Sequence, residues 1–300
     1  MDTCINAFMA NPSLPPTDLS PQDLNLLMGR ADAPLLLDVR REAAFLESPR
    51  VLARAQRCRP EDVAALAANS APRAVVAYCV YGHTVSADAV AALRAAGWRA
   101  QRLAGGMAGG EGGVDAPGDI SAWRGQRPLS WRKRADWGVT GAQSSRWVTR
   151  ARPKIDRIAC PWLIRRFIDA RAEFFYVPAE QVLAEAERLQ AVAFDTPGAP
   201  VSHDGALCSF DALLKAFDLA DPALNALARI VRGADTDSLA LAPQAAGLLA
   251  VSLGLSALHP DDHAMLEAAM PLYDALYAWC RSAQHEPHNW QPAGMPGAAT

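Results

Sequence analysis

The chain has 300 residues, 51% hydrophobic and 20% charged, with a net charge of −3. That length predicts two domains with ample core, and the mildly acidic balance excludes the basic surface that nucleic acid or an anionic membrane would demand. No stretch reaches the roughly 20 apolar residues that span a bilayer, the N-terminus carries neither a basic nor a continuous apolar segment, and the six cysteines (Cys4, Cys58, Cys79, Cys160, Cys208, Cys280) form no C-x-x-C pair, so the expectation is a cytoplasmic protein with reduced thiols.

Residues 19–29, "LSPQDLNLLMG", predict a helix with Ser20 as N-cap and Pro21 in its first turn. "PLLLDV" (34–39) reads as a buried strand, "RPEDVAALAA" (59–68) as a helix and "RAVVAYC" (73–79) as a second strand. "VSADAVAALRAAG" (85–97) has helical spacing and stops at Gly97; "WRAQRL" (98–103) is a third strand. This alternation implies a mostly parallel sheet with helices on its faces. Residues 104–145 are rich in Gly and Ser yet hold Trp123, Trp131 and Trp137, so they read as the end of one domain and a packed connection. A second, mainly helical α+β domain follows. It has strands at 146–152, 172–177 and 191–195, and helices at 156–170, 178–190, 210–217, 222–231, 242–255 and 260–281. The expected boundaries are 15–127, a linker at 128–145, 146–283 and a disordered tail at 284–300.

Cys79 ends an apolar strand, and a helix begins about five residues later. A loop in that position lies at the carboxyl end of a parallel strand, where open α/β sheets bind ligands. Backbone N–H groups at the helix start point toward the sulfur and favour negative charge on it. Gly82 permits the tight turn, and His83 offers a donor or a positive charge. A buried structural thiol beside a surface turn is the alternative.

Two stretches of the second domain carry candidate chemistry. Arg150, Arg157, Arg165 and Arg166 read either as forks for an oxyanion or as a solvated, ion-paired face. Asp195, His203, Cys208, Asp211 and Asp235 read either as a divalent-metal set or as caps and turn residues.

Residues 19–106 resemble a single rhodanese (sulfurtransferase) domain. The pieces are "LLLDVR" with Asp38 and Arg40, "CVYGHT" from Cys79 to Thr84, the helix that follows, and "RLAGGM" with Gly105 and Gly106. The resemblance implies a rhodanese-like parallel-sheet fold and a catalytic Cys79 that accepts a sulfane sulfur as a persulfide. It also implies an active-site loop of Val80, Tyr81, Gly82, His83, Thr84 and Val85, support from Asp38 and Arg40, a small-molecule sulfur donor, a thiol acceptor, and no required cofactor. Thr84 stands where many relatives of that kind carry arginine, and Val80 and Tyr81 replace basic or polar residues. Weak use of the thiosulfate dianion follows. Residues 146–281 resemble the chromate-resistance C-terminal domain through "WVTRARPKIDRIACPWLIRRFIDARAEFFYV", "FDTPGAPVSHDGALCSFDALLKAFDL", "IVRGAD" and "DDHAMLEAAMPLYDALYAW". Arg232 stands where that family usually has histidine, which implies a weaker metal site and an added cation, Arg232, for an oxyanion pocket. Together the resemblances imply a cytoplasmic sulfurtransferase associated with chromate resistance. The alternative is a non-catalytic protein that binds or senses chromate or another oxyanion.

Overall fold

Short apolar runs bounded by turn residues form the strands, and longer runs with helical spacing form the helices. The computed structural model describes residues 16–286. In chain order it contains β1 (Asp18–Leu19), α1 (Pro21–Leu27), β2 (Leu35–Asp38), α2 (Glu42–Glu47), β3 (Arg50–Leu52), β4 (Gln56–Arg57), α3 (Val63–Asn69), β5 (Ala74–Tyr78), α4 (Thr84–Ala95), β6 (Arg99–Leu103), α5 (Pro117–Gly125) and β7 (Ser130–Arg132). It continues with β8 (Arg146–Arg150), α6 (Asp156–Leu163), β9 (Glu173–Val177), α7 (Val182–Leu189), β10 (Val192–Ala193), α8 (Ser209–Phe217), α9 (Pro222–Asp235), α10 (Ala245–Leu258) and α11 (Asp262–Ala278). The chain is mixed α/β, and no described helix is long and apolar enough to cross a membrane.

Two compact units emerge. Among the described residues, the first contains 16–26, 34–48 and 56–128; the second contains 27–33, 49–55 and 129–286. They are therefore not divided at one point, and the expected linker at 128–145 is built into the second unit. There β7 pairs antiparallel with β3, and Trp131 is fully buried with its ring edge-on to Phe217. Of the expected tail at 284–300, residues 287–300 lie outside the described residues, as does Cys4.

The first unit is a five-stranded sheet in the order β1-β6-β5-β2-β4, with every pairing parallel. Val75, Val76, Ala77 and Tyr78 of β5 are all buried, as a central parallel strand covered on both faces requires. Leu37, Val63, Ala67, Val75, Val90, Leu93 and Trp98 share one core. Ser20 caps α1 by accepting from Asp23 N at 3.1 Å. The two-residue edge strands β1 and β4 are too short to carry a readable pattern.

The second unit holds a parallel sheet in the order β10-β8-β9. Beyond it lies a helical layer centred on Trp162, whose ring meets Phe167, Phe210, Tyr273 and Tyr277. α6 continues as a π-helical turn over Ile164–Ile168. Arg166 grips Asp274 with two hydrogen bonds of 2.7 and 2.9 Å, tying this segment to α11.

Candidate functional site

In the first unit, Cys79 follows the last residue of β5 and is 5% exposed. The chain then turns through Gly82, at φ +78°, into α4. The first backbone N–H to donate after Cys79 is that of Ala87, to His83 O at 3.0 Å. Among the described residues, none of the N–H groups of residues 80–86 donates a hydrogen bond, as expected where a loop enters a helix. The loop is clamped by the glycine turn after β6. Met107 N donates to Cys79 O at 3.0 Å and Ala108 N to Val80 O at 2.8 Å. A Cβ on Gly106, at φ +56°, would stand 2.5 Å from Gly82 N and 2.6 Å from Cys79 O. Only glycine permits that backbone-to-backbone approach.

Buried Ser86 places its Oγ 3.2 Å from Cys79 Sγ and donates to His83 O at 3.1 Å. With its hydrogen so engaged, the hydroxyl accepts from the Cys79 thiol. His83 meets Asp115 at 2.8 Å through Nε2 and Glu111 at 3.5 Å through Nδ1. The Asp115 carboxyl is held below the usual range, first by the Glu111 N–H and then by His83. Any positive charge on His83 is thus met by two carboxylates, and the rim of the loop carries net negative charge.

Asp38 and Arg40 do not touch the sulfur. They form a fully buried pair in which Arg40 grips both Asp38 oxygens, and Tyr78 Oη donates to Asp38 at 2.8 Å. Burial pulls the Arg40 pKa down, and the hydrogen bond and charge of Asp38 more than reverse this. Tyr78 immediately precedes Cys79, so the network fixes the strand end from which the loop departs.

In the second unit, four groups gather near the carboxyl ends of the strands. Asp156 opens α6, Asp195 follows β10, His203 lies in the next loop, and Asp235 ends α9. His203 Nε2 stands 3.2 Å from Asp235, 3.4 Å from Asp195 and 3.8 Å from Asp156. Asp156 also accepts from Ser209 N at 2.6 Å and Phe210 N at 3.0 Å, which caps α8. Its carboxyl is raised well above the usual range by burial and then by the charges of Asp235 and Asp195. Asp235 is raised by burial and by Asp195. Asp195 takes a hydrogen bond from Ser209 Oγ at 3.0 Å and pairs with Arg150 and Arg157, each at 3.2 Å.

Of the metal set expected from sequence, Asp195, His203 and Asp235 come together, whereas Cys208 and Asp211 do not join them. Asp211 accepts from the N–H and thiol of Cys208 at 3.1 and 3.4 Å, a local cap on α8, and pairs with Arg232 at 3.2 Å. Burial, with Asp156 nearby, pushes the Cys208 thiol far up. Asp156 is the member that sequence reasoning missed. Acidic residues are ordinary in the first turn of a helix, so its position gave no distinguishing signal.

The candidate oxyanion arginines are each engaged by a carboxylate rather than gathered around an open pocket. Arg150 and Arg157 hold Asp195, Arg165 holds Glu267, Arg166 holds Asp274 and Arg232 holds Asp211. Two polar atoms remain buried with no partner beside this system, Arg150 Nε and the Tyr176 hydroxyl. Burial raises the Tyr176 hydroxyl far above its ordinary range, against the nearby charge of Arg165.

Residues 147–280 match the family model of the ChrB C-terminal domain. Over 139 residues the chain is 35% identical to Protein ChrB of Cupriavidus metallidurans, strain CH34. That match covers 46% of this chain and 41% of the relative, so the chain spans less than half the length of the curated protein it resembles. The second unit is thus similar to a ChrB C-terminal domain, in agreement with the chromate-resistance resemblance read from its sequence.

Proposed function

We propose that the first unit is a rhodanese-like sulfurtransferase and that the protein serves chromate resistance. The observation that supports the sulfur chemistry is the run of undonated N–H groups of residues 80–86 that directly follows Cys79 into α4. Fixed N–H dipoles of this kind stabilise negative charge that develops on a transferred sulfur. In the first step the Cys79 thiolate attacks the outer sulfur of a donor. The Sγ–S bond forms and the donor's S–S bond breaks; thiosulfate leaves as sulfite, and a persulfide donor leaves as its thiolate. In the second step an acceptor thiolate or cyanide takes the outer sulfur and Cys79 leaves as thiolate. No external oxidant or reductant is consumed. Ser86 re-aims its hydroxyl from His83 O to the sulfur when the proton departs. Asp38, Arg40 and Tyr78 hold the strand end. The similarity of residues 147–280 to the ChrB C-terminal domain supports the link to chromate.

The test is thiocyanate release from thiosulfate and from a small persulfide donor, with wild type and Cys79→Ser. Persulfidation at residue 79 is read by peptide mass. The expected result is turnover with at least one donor and a loss of about 10³-fold or more in the variant. No turnover and no persulfide with any donor would overturn the reading.

A further inference from the structure

The convergence on His203 has a geometry that ion pairing does not explain. A charge-assisted N–H···O bond runs to one acceptor at about 2.7–2.9 Å. Here one nitrogen faces three carboxylate oxygens at 3.2, 3.4 and 3.8 Å. Tetrahedral metal ligands with bonds of about 2.0–2.2 Å stand about 3.3–3.6 Å from one another. The observed spacings bracket that edge length. The donor atoms of Asp156, Asp195 and His203 all lie within 4.8 Å of one another.

Charge points the same way. The side chains of Asp156, Asp195 and Asp235 are only 1%, 8% and 18% exposed. Arg150 and Arg157 form ion pairs with Asp195 alone. Among the described residues, Asp156 and Asp235 have no ion-pair partner except the imidazole. Against three carboxylates stand two guanidiniums and one imidazole, so with His203 neutral, as a metal ligand must be, one negative charge is left for a cation to meet. A second, independent feature is Arg150 Nε, buried with no acceptor on the guanidinium that holds Asp195. His203 is 41% exposed, so the group is open to solvent on the imidazole side.

We propose that Asp156, Asp195, His203 and Asp235 bind one divalent first-row transition-metal ion. One imidazole with three carboxylates suits Zn²⁺ or Mn²⁺, and the thiols of Cys160 and Cys208 take no part. This assignment is independent of the sulfur chemistry of the first unit.

The test uses the full chain, stripped with chelator and titrated calorimetrically with ZnCl₂ and, separately, with MnCl₂. Thermal unfolding is followed with and without each ion. His203→Ala and Asp235→Asn are the variants, because Asp156 also caps α8 and its loss would disturb folding. Circular dichroism of the stripped proteins establishes that each is folded, and His203, being partly exposed, is the more tolerant position. The expected result is one ion bound per chain and a raised Tm in wild type. Affinity should fall at least 10-fold in each variant, with the Tm increase reduced or lost. No saturable binding of either ion by wild type would overturn the proposal. So would binding that His203→Ala leaves unchanged, because such ions would sit on thiols or surface carboxylates elsewhere.

Discussion

His83 was expected to supply the cation that the sequence lacks at Thr84. Its ring lies instead between Asp115 and Glu111, and this reverses the electrostatics of the loop's rim. A dianion approaching Cys79 meets two carboxylates, each opposing it by roughly 1 kcal/mol at solvent-screened distances. We predict that Glu111→Gln with Asp115→Asn raises kcat/KM for thiosulfate about 3- to 10-fold, more at low ionic strength, and leaves a neutral persulfide donor nearly unaffected. Equal effects on both donors would show that the carboxylates act on the loop's shape rather than its charge. Sequence made Cys79 legible because strand, cysteine, glycine and helix follow one another within a dozen residues. It did not make Asp115 legible: that carboxylate lies 32 positions from His83, in a glycine-rich turn without periodicity. Cys208 and Asp211 misled for a related reason. Their spacing of three suits a loop ligand pair, and it also suits a residue at a helix start with its partner one turn on, which is what they form.

β2 and β5 meet at their carboxyl ends through a buried polar contact. Asp38 and Tyr78 are register partners, and the Tyr78 hydroxyl and Arg40 guanidinium both end on the Asp38 carboxylate. The pair is 0–1% exposed, so removing Asp38 takes the carboxylate from the Arg40 charge where no solvent can replace it. Asp38→Ala should cost about 3–5 kcal/mol in denaturant unfolding. A double variant, Asp38→Ala with Arg40→Met, should recover most of that loss, because replacing both charges by apolar groups avoids the stranded ion. A single-variant cost below 1 kcal/mol would mean that Arg40 finds another partner. The parallel strands themselves were readable because both faces are covered, and burial on both faces writes a continuous apolar run. The helix start at Ser20 was readable from its cap, and Asp221 caps α9 in the same way, accepting from Leu224 N at 2.8 Å.

At the scale of the whole molecule, the division into units was the least legible feature. β3 is three residues long and has no pattern of its own, yet it belongs to the second unit through Val51 opposite Trp131 and through Arg50, which reaches Ser130 and Asp218. A fragment of residues 129–286 lacks that strand. Loss of the buried Val51 and Leu52 should remove about 3–5 kcal/mol from the second unit, with Trp131 fluorescence shifted to the red. A fragment as stable as the unit in the full chain would show β3 to be dispensable. The chain passes between units after residues 26, 33, 48, 55 and 128, which bears on how it is made. Synthesis delivers Arg50 80 positions before Ser130, so a nascent chain carries an unpaired apolar strand edge while its first sheet assembles. Throughout that interval it presents the kind of surface that chaperones and neighbouring nascent chains recognise, and pausing translation before residue 130 would prolong the exposure.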